Sequence, residues 1–586
     1  MENFINLLDT PWSRRNSYIA LANDNKGFDI PGKSNLWICN CRMVNYAMSD
    51  MQSDNHFRRI QLQAVKGDQP LPAVLRTTPE EVFLKTSWGG FRCCIAEQKL
   101  LLVRGDDGLS LRITPPPSFL SPLSVPAGTD LGRRVVDFGP TSMLITVLKG
   151  TLRMTPMFFE VAPDADGKVL VAFDDAPGDP VPRPLDDYPC YDAAAAAVRK
   201  EFDEFCAAVM PSLPAEFEPM RLQALWTTWS LMVDPDDENC YRRTMVKMIR
   251  SIFEQAFGWQ MPMQAICLSR NPKLSWDVFC SIFEYQDANG RLADALSFKF
   301  TGPRPAMKPP IQGWALLWLM DHGVVDAAAP AEEERLWLLE RLIKWTEYYF
   351  RFRDHDADGL CEYNKALETG WEDAPQYRVG VPQASPDLNA VLALSMEAIA
   401  RFGATCGMPE AEQKAWMDRS RALIDKIVEK CWDGEGWYSF CIETGRRSMN
   451  DNIAFYMALL LGERLPKDVI EKSIARLFRA GGFDSPYGLT SEPMDATTFR
   501  GGFASGSVIT PAEFLTCLGL EACGRKDLAQ RVAKKYCAAL KKSGFFHILN
   551  GVTGEGDRAL TAYGERGLFW SAWCSSCYFF LADQYC

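Results

Sequence analysis

Acidic side chains surround a tryptophan in one loop of the sequence, Glu362–Tyr377, which reads EYNKALETGWEDAPQY. Glu368, Glu372 and Asp373 lie close to Trp371, and a glycine and a proline keep the segment from continuing as a helix. Apolar neighbours raise the pKa of a carboxyl group, as a general acid at neutral pH requires. The loop therefore indicates acid–base chemistry more strongly than it indicates a merely solvated turn.

A second candidate is the Trp276–Asp277 pair in LSWDVFCSIFEYQD, residues 274–287. Asp277 is close to the start of a predicted helix, where a negative charge is favourable because of the helix dipole. The alternative is that Asp277 binds sugar hydroxyls while Trp276 stacks on the sugar ring. The residues alone leave both interpretations open.

Two further loops carry polar groups that suit a ligand site. Residues 481–502 contain Glu492 and Arg500, which are candidate ligands for hydroxyl groups. Residues 544–573 contain several acids and His547, which is either a packed core histidine or a site residue. Because the chain has only four histidines, a histidine-based metal site is poorly supported.

The bulk composition excludes several classes of protein. The chain has 586 residues and a formal charge of −12, which opposes binding to nucleic acid. It contains no run of 18 apolar residues, so we expect no membrane partner. The first 20 residues lack a long apolar run, and the 19 cysteines are scattered, so we expect no secretory signal and a reducing cytoplasm. No pattern fixes the oligomeric state.

The elements that must position these loops fall into two predicted domains joined by a linker. Residues 1–185 predict an antiparallel β-sandwich, residues 186–213 a linker with a helix at Tyr191–Val209, and residues 214–586 a helical domain. The helical domain fits six helical hairpins closed into a ring, although a bundle of another topology also satisfies the count. The predicted strands are 36–44, 58–65, 82–86, 91–103, 109–114, 142–148 and 169–174. The predicted helices of the last region are 215–233, 239–256, 275–286, 310–323, 331–352, 386–403, 409–431, 449–462, 466–479, 510–523, 526–542 and 568–584.

The motifs in these loops, taken in order, resemble glycoside hydrolase family 63 and its trehalase-related clan over residues 215–586. The motifs that carry the resemblance are Trp276–Asp277, KPPIQGWAL at Lys308–Leu316, TGWEDAP at Thr369–Pro375, Phe499–Gly501, Gly544–Gly554 and Phe569–Ala572. The resemblance implies an α+β multidomain protein, with an N-terminal antiparallel β-sandwich followed by a C-terminal (α/α)6 barrel. It implies a small carbohydrate substrate and no cofactor. The substrate-binding residues that it implies are Trp276, Asp277, Gln312, Trp314, Glu368, Trp371, Arg500 and Trp570.

The clan's enzymes invert the anomeric carbon, using one carboxylic acid and one carboxylate base. By resemblance, Glu372 takes the place of the catalytic aspartate as general acid, and Asp373 is the alternative. His547 stands where the family has its glutamate base. The base is therefore His547 itself or Glu565 from the nearby AYGERG segment, and we favour Glu565 with His547 in the pocket.

Three functions follow from this comparison. The first is an inverting glycosidase, α-glucosidase-like in type, that acts on a short α-glucoside or related small glycoside. The second is a sugar epimerase or lyase that uses His547, and the third is a carbohydrate-binding protein without catalysis. The first mechanism needs no metal. A structural cation at DHDAD, residues 354–358, is disfavoured because the segment lacks the full spacing of a calcium-binding hand.

Overall fold

The computed structural model describes residues 3–23, 36–40, 59–115, 132–137, 141–155, 157–176, 178–237, 239–250, 255–296, 307–448, 450–556 and 570–586. The chain divides into two compact units. The first comprises Met1–Ala207, Trp226–Asn239 and Ile249–Glu254, and the second comprises Ala208–Leu225, Cys240–Met248 and Gln255–Cys586. The structure is thus α+β, with antiparallel sheets toward the N-terminus and a helical C-terminal region.

The first unit contains two seven-stranded sheets in which each pairing is antiparallel. One sheet has the order β1-β2-β3-β9-β13-β12, with β4 on β3, and the other has the order β10-β11-β14-β8-β7-β6-β5. The strands are β1 Ile19–Asn23, β2 Leu36–Asn40, β3 Arg59–Lys66, β4 Gln69–Pro70, β5 Val74–Thr77, β6 Val82–Thr86, β7 Gly89–Glu97, β8 Leu100–Gly105, β9 Ser110–Thr114, β10 Arg133–Asp137, β11 Ser142–Lys149, β12 Thr151–Met154, β13 Phe159–Ala162 and β14 Val169–Ala176.

The sequence patterns of these strands explain their burial. In β3, buried Ile60, Leu62 and Ala64 alternate with partly exposed residues, so one face of this strand points into the core. β8 is instead an apolar run, Leu100–Val103, that is buried on both faces. Helix α1, Tyr191–Val209, packs near this second sheet, and the Tyr191 hydroxyl donates to Glu81 at 2.9 Å. The helix predicted inside the linker has these same bounds, but it belongs to the compact first unit as far as Ala207.

The rest of the chain is mainly helical. Its helices are α2 Arg221–Ser230, α3 Gln260–Cys267, α4 Pro272–Ser281, α5 Gln312–Asp321, α6 Val324–Ala328, α7 Glu332–Phe352, α8 Pro386–Thr405, α9 Glu410–Cys431, α10 Lys467–Leu477, α11 Thr510–Ala522, α12 Lys526–Ser543 and α13 Ala572–Tyr585. A 3-10 segment spans Ile453–Arg464. Short strands connect the loops: β15 Met232–Val233, β16 Met245–Val246, β17 Ala256–Phe257, β18 Ala295–Leu296, β19 Glu362–Tyr363, β20 Gln383–Ala384, β21 Phe440–Cys441, β22 Asp484–Ser485, β23 Gly488–Leu489, β24 Val508–Ile509 and β25 Ile548–Leu549.

Six elements of the second unit contact one another in a closed order: α3, α5, α8, the 3-10 segment, α11, α13 and again α3. A second set packs outside them, with α4 on α3, α7 and α9 on α8, α10 on the 3-10 segment, and α12 on α11 and α13. The sequences account for the two sets. α8, α11 and α13 are buried around nearly their whole circumference, whereas α9 and α12 bury one apolar face and expose charged residues.

Several predicted elements differ from the structure. The helix predicted at 239–256 is wrong, because the described residues there form extended segments with β16 and β17, and α3 follows instead. The strand predicted at 91–103 is two strands, β7 and β8, joined by a tight turn. The helix predicted at 449–462 is the 3-10 segment, which is interrupted at Gly462 by a φ of 57°. The predicted helices at 331–352, 386–403, 409–431, 510–523 and 526–542 are confirmed within two residues.

Candidate active site

The loops that precede the six ring elements meet at one end of the ring. Contacts between residues at or before the starts of these elements join the loops to one another. These contacts are Trp259 with Trp371 and Trp573, Lys308 with Glu372, Asp373 with Ala504, Asn450 with Glu492, and β24 with β25. All six ring elements therefore run in the same direction, and their N-terminal ends, which favour negative charge, face this end.

The turn that carries the predicted acids is held by its own side chains. The Thr369 hydroxyl donates to the Ala366 carbonyl at 2.7 Å and accepts from the Trp371 backbone N–H at 2.9 Å. Gly370 has a φ of 80°, a region that favours glycine, and a Cβ atom there would lie 2.6 Å from the Trp259 ring. Trp371 itself is fully buried, with its ring edge-on to Trp259 at 6.4 Å between centroids. Trp371 therefore fixes the turn with a buried ring, and its role in sugar binding stays a prediction.

We expect Gly370→Ala to destabilise the protein more than Gly407→Ala does. Both glycines have a φ near 80°, but a Cβ atom at Gly407 meets nothing within 4 Å. Both variants carry the backbone penalty of a positive φ, so the difference between their free energies of unfolding measures the clash with Trp259, about 1–3 kcal/mol. Urea unfolding of both variants beside the wild type gives this difference. Equal losses would show that the Trp259 contact does not constrain the turn.

Glu372 has one paired and one unpaired carboxylate oxygen. Its Oε1 accepts from the Lys308 ammonium at 2.6 Å, while its Oε2 is buried and has no hydrogen-bond partner among the described residues. Lys308 also donates to the Leu367 carbonyl at 2.6 Å, so it ties this carboxylate to the preceding 3-10 turn. A carboxylate held in this way has one oxygen available for a ligand.

Asp373, the next residue, faces a different loop. Its Oδ1 accepts from the Ala504 backbone N–H at 3.0 Å. Burial raises the pKa of Asp373, and the negative charge of Glu372 raises it further, while the Ala504 hydrogen bond and the exposed Arg500 guanidinium lower it. Two adjacent acids therefore differ in their surroundings, one paired with a lysine and one partly desolvated. Arg500 lies on the loop before α11, within electrostatic reach of Asp373, so the structure brings these two predicted residues together.

Glu492 is a second buried acid on the loop that precedes α11. Its Oε1 accepts from the Thr498 hydroxyl at 2.9 Å and from the Asn450 amide at 3.5 Å, and its Oε2 is buried without a partner among the described residues. Burial raises its pKa, which the charge of Asp373 also raises and that of Arg378 lowers. The sequence indicated Glu492 only as a hydroxyl ligand. Its role beside the acidic turn was missed because no local pattern distinguishes it from other acids of a long loop.

An aromatic chain links the acidic turn to His547. From Trp371 it passes through Trp259 and Trp573, whose ring centroids are 5.0 Å apart, to His547, 5.3 Å from Trp573. His547 is buried, and this burial lowers its pKa to about 4. Its Nδ1 has no hydrogen-bond partner among the described residues. The structure therefore brings His547 to the same end of the ring as Glu372, as a neutral imidazole with a proton affinity close to that of a carboxylate. Glu565 lies outside the described residues.

The lowered pKa of His547 predicts a loss of stability in weak acid. The folded protein binds a proton on this ring only near pH 4, whereas the unfolded chain binds one near pH 6.5, so stability falls as the pH decreases between these values. We expect His547 to account for about 2 kcal/mol of unfolding free energy lost between pH 7 and pH 5. Chemical denaturation of wild type and His547→Gln at both pH values isolates this contribution. An equal loss in the two proteins would contradict the buried neutral state.

Most other predicted substrate ligands are engaged in contacts within the protein, and their roles in substrate binding stay predictions. Gln312 donates to the Gly258 carbonyl at 3.1 Å and accepts from Trp345 at 2.9 Å, so both ends of its amide are used. Glu368 forms a buried ion pair with Arg353 at 2.8 Å. Trp314 and Trp570 are buried against Phe514 and Phe545, respectively. These four side chains support the walls of the site.

Trp276 and Asp277 lie away from this end of the ring. Trp276 is buried and packs against Phe402, which is sixteen residues along α8 from Pro386, or about 24 Å at 1.5 Å per residue. Asp277 accepts from the Thr244 backbone N–H at 2.9 Å. The described contacts of this pair are structural. Since α4 begins at Pro272, Asp277 lies in the middle of the helix rather than at its start, and the role of the pair in sugar binding stays a prediction.

Residues 259–571 match the family described as the mannosylglycerate hydrolase MGH1-like glycoside hydrolase domain. The chain belongs to this family. The match covers more than half of the chain and contains Glu372, Asp373, Glu492 and His547, and it shows that this protein is a glycoside hydrolase. No curated protein matches the chain.

Three solved structures show the range of structural similarity. A bacterial glucoamylase complexed with acarbose matches 98% of this chain and 93% of its own, at 8% identity and a TM-score of 0.60, which supports the fold alone. The family 63 mannosylglycerate hydrolase from Thermus thermophilus, in complex with glucose, matches 56% of this chain and 92% of its own, at 17% identity and a TM-score of 0.47. Neutral trehalase from Saccharomyces cerevisiae matches 58% and 73%, at 14% identity and a TM-score of 0.44.

Proposed function

We propose that this protein is an inverting glycoside hydrolase that acts on a short α-glucoside or a related small glycoside. The observation that carries the proposal is a pair of carboxylates, the half-buried Glu372 and the buried Glu492, that each keep one buried oxygen without a partner among the described residues. They belong to the loops before α8 and α11, and Asp373 links them by its contact with Ala504 and its charge interaction with Glu492. Two carboxyl groups on opposite sides of a glycosidic bond are what inversion requires.

In the proposed reaction, Glu372 donates a proton to the glycosidic oxygen as the bond to the anomeric carbon breaks. The second carboxylate takes a proton from a water molecule, whose oxygen attacks the anomeric carbon from the opposite face. We propose Glu492 as this base, because its carboxylate interacts electrostatically with Asp373 in the acidic turn and keeps one oxygen without a partner among the described residues. Glu565 and His547 are the competing candidates, and Asp373 is the competing acid.

The fold that we propose for the ring of six inner elements and its outer helices is an (α/α)6 barrel, and we propose that the two sheets of the first unit form a β-sandwich. The common direction of the inner elements and the similarity to the glucoamylase support the barrel. In the described part of the chain, no helix is both long and apolar enough to cross a bilayer. The 18 described cysteines are free thiols, which suits the predicted cytoplasmic location.

The proposed function is tested by incubating the protein with a panel of small glycosides while proton NMR follows the anomer that is released first. The panel contains α-linked disaccharides such as trehalose and maltose. It also contains mannosylglycerate and glucosylglycerate, because the description of the family names a mannosylglycerate hydrolase. Release of the β-anomer from an α-glycoside supports the proposal. An isomerised or unsaturated product would instead support an epimerase or lyase, and tight binding without turnover would indicate a binding protein.

A further inference from the structure

Four carboxylates cluster in the turn between α7 and β19. Asp354, Asp356, Asp358 and Glu362 each offer one oxygen, and these four oxygens lie within 4.8 Å of one another. The first three alternate along DHDADG, and Glu362 begins β19. Ionised carboxylates at such short range repel one another strongly, and a bound cation would relieve this repulsion.

Glu362 is the member of the cluster that points most clearly to a ligand. It is only 1% exposed, and while its Oε2 accepts from the His355 backbone N–H at 2.9 Å, its Oε1 is buried without a hydrogen-bond partner among the described residues. Oδ1 of Asp354 is also buried and unpartnered in this part of the chain, whereas its Oδ2 accepts from the Gly359 N–H at 3.1 Å. The pKa of Glu362 is raised to about 8, mainly by burial and in part by the charges of the three aspartates, while the His355 hydrogen bond lowers it.

Basic side chains beside the cluster are engaged with other groups. Lys426 donates to the backbone carbonyl of Asp358, and Arg353 pairs with Glu368 at 2.8 Å. The His355 ring contacts the Asn364 amide oxygen at 2.8 Å. Among the residues that the structure describes, the ion pairs therefore leave these four carboxylates without a cationic side chain.

We propose that Asp354, Asp356, Asp358 and Glu362 bind a divalent cation, with Ca²⁺ preferred. Carboxylate oxygens from an irregular turn suit Ca²⁺, which accepts six to eight oxygen ligands in irregular geometry, better than they suit Mg²⁺, which demands a near-ideal octahedron. The sequence disfavoured a cation here because the segment 354–358 lacks the full spacing of a calcium-binding hand. The structure supplies a fourth carboxylate from Glu362, at the start of the adjacent strand.

The ion would stabilise the segment of chain that precedes the acidic turn. It would tie the end of α7 to β19, and the chain continues from β19 into the 3-10 turn that ends at Glu368 and then into Trp371 and Glu372. The cluster contains none of the residues proposed to act on the glycoside. Its role is therefore structural, and binding can be measured without any substrate.

The test uses the full-length protein, stripped with EGTA, dialysed and titrated with CaCl₂ in a calorimeter, with MgCl₂ titrated in parallel. We expect Ca²⁺ to bind with a Kd below about 1 mM, more tightly than Mg²⁺, and to raise the Tm. Glu362→Gln should weaken Ca²⁺ binding at least tenfold. Without Ca²⁺ this variant should melt no lower than the stripped wild type, because glutamine is uncharged and keeps the size of the side chain.

Asp356→Asn, at an exposed member of the cluster, is the second test variant, and Asp326→Asn, at an exposed position of α6, is the control. Weaker binding in Asp356→Asn and unchanged binding in Asp326→Asn would support the site even if Glu362→Gln failed to fold. The absence of heat and of a Tm change at 1 mM Ca²⁺ would overturn the proposal, as would wild-type affinity in both cluster variants. Since neither measurement depends on turnover, failure here is distinct from failure of the proposed glycosidase.

Discussion

Glu372→Gln is expected to lower kcat for any hydrolysed glycoside of the panel by about 10²–10⁴-fold while leaving the Tm nearly unchanged. Glutamine keeps the size of the side chain and can still contact Lys308 through its amide oxygen, but it cannot give a proton to the glycosidic oxygen. The loss should therefore appear in kcat more than in KM. The measurement is steady-state hydrolysis by the purified variant, accompanied by thermal unfolding.

Glu412→Gln provides the matched control, because Glu412 is an exposed glutamate of α9 outside the site. It should retain wild-type kcat. Asp373→Asn completes the comparison. If Glu372→Gln hydrolyses normally and Asp373→Asn does not, the acid is Asp373, whose raised pKa already suits proton donation.

The second large effect concerns the base. Glu492→Gln is expected to lower kcat by at least about 10²-fold, because the free Oε2 is then no longer a carboxylate oxygen that can accept a proton from water. Glu492→Ala should regain turnover when azide is added, since a small anion can attack the anomeric carbon without a base. The azide product should be a glycosyl azide of inverted configuration, which NMR detects.

The competing bases are compared in the same assay. His547→Gln and Glu565→Gln should each retain more activity than Glu492→Gln. If Glu492→Gln turns over normally and one of the other variants does not, the role of base passes to that residue. His547 is included because its neutral ring, with a pKa of about 4, is about as basic as a carboxylate.

Much of the secondary structure could be predicted because its causes are local. The apolar periodicity of α7, α9 and α12, and the proline at the start of α8, indicated helices close to those observed. The prediction failed where local signals conflict with tertiary contacts. α3 was missed because Pro262 interrupts its sequence, and β7 and β8 were read as one strand because Glu97–Leu100 lacks a clear turn motif.

The amino-acid sequence alone indicated that the turn Trp371–Asp373, in which two acids follow a tryptophan, belongs to a helical domain of a glycoside hydrolase. Only the tertiary structure decided which side chains share its surroundings. Lys308 is 64 residues from Glu372, and Ala504 is 131 residues from Asp373. These partners determine the electrostatic surroundings of each acid and which of its oxygens is left without a hydrogen bond. No local sequence pattern encodes partners so far apart in the chain. For the same reason Trp276 belonged to the core, and Glu362 completed a carboxylate cluster that its spacing along the chain had not predicted.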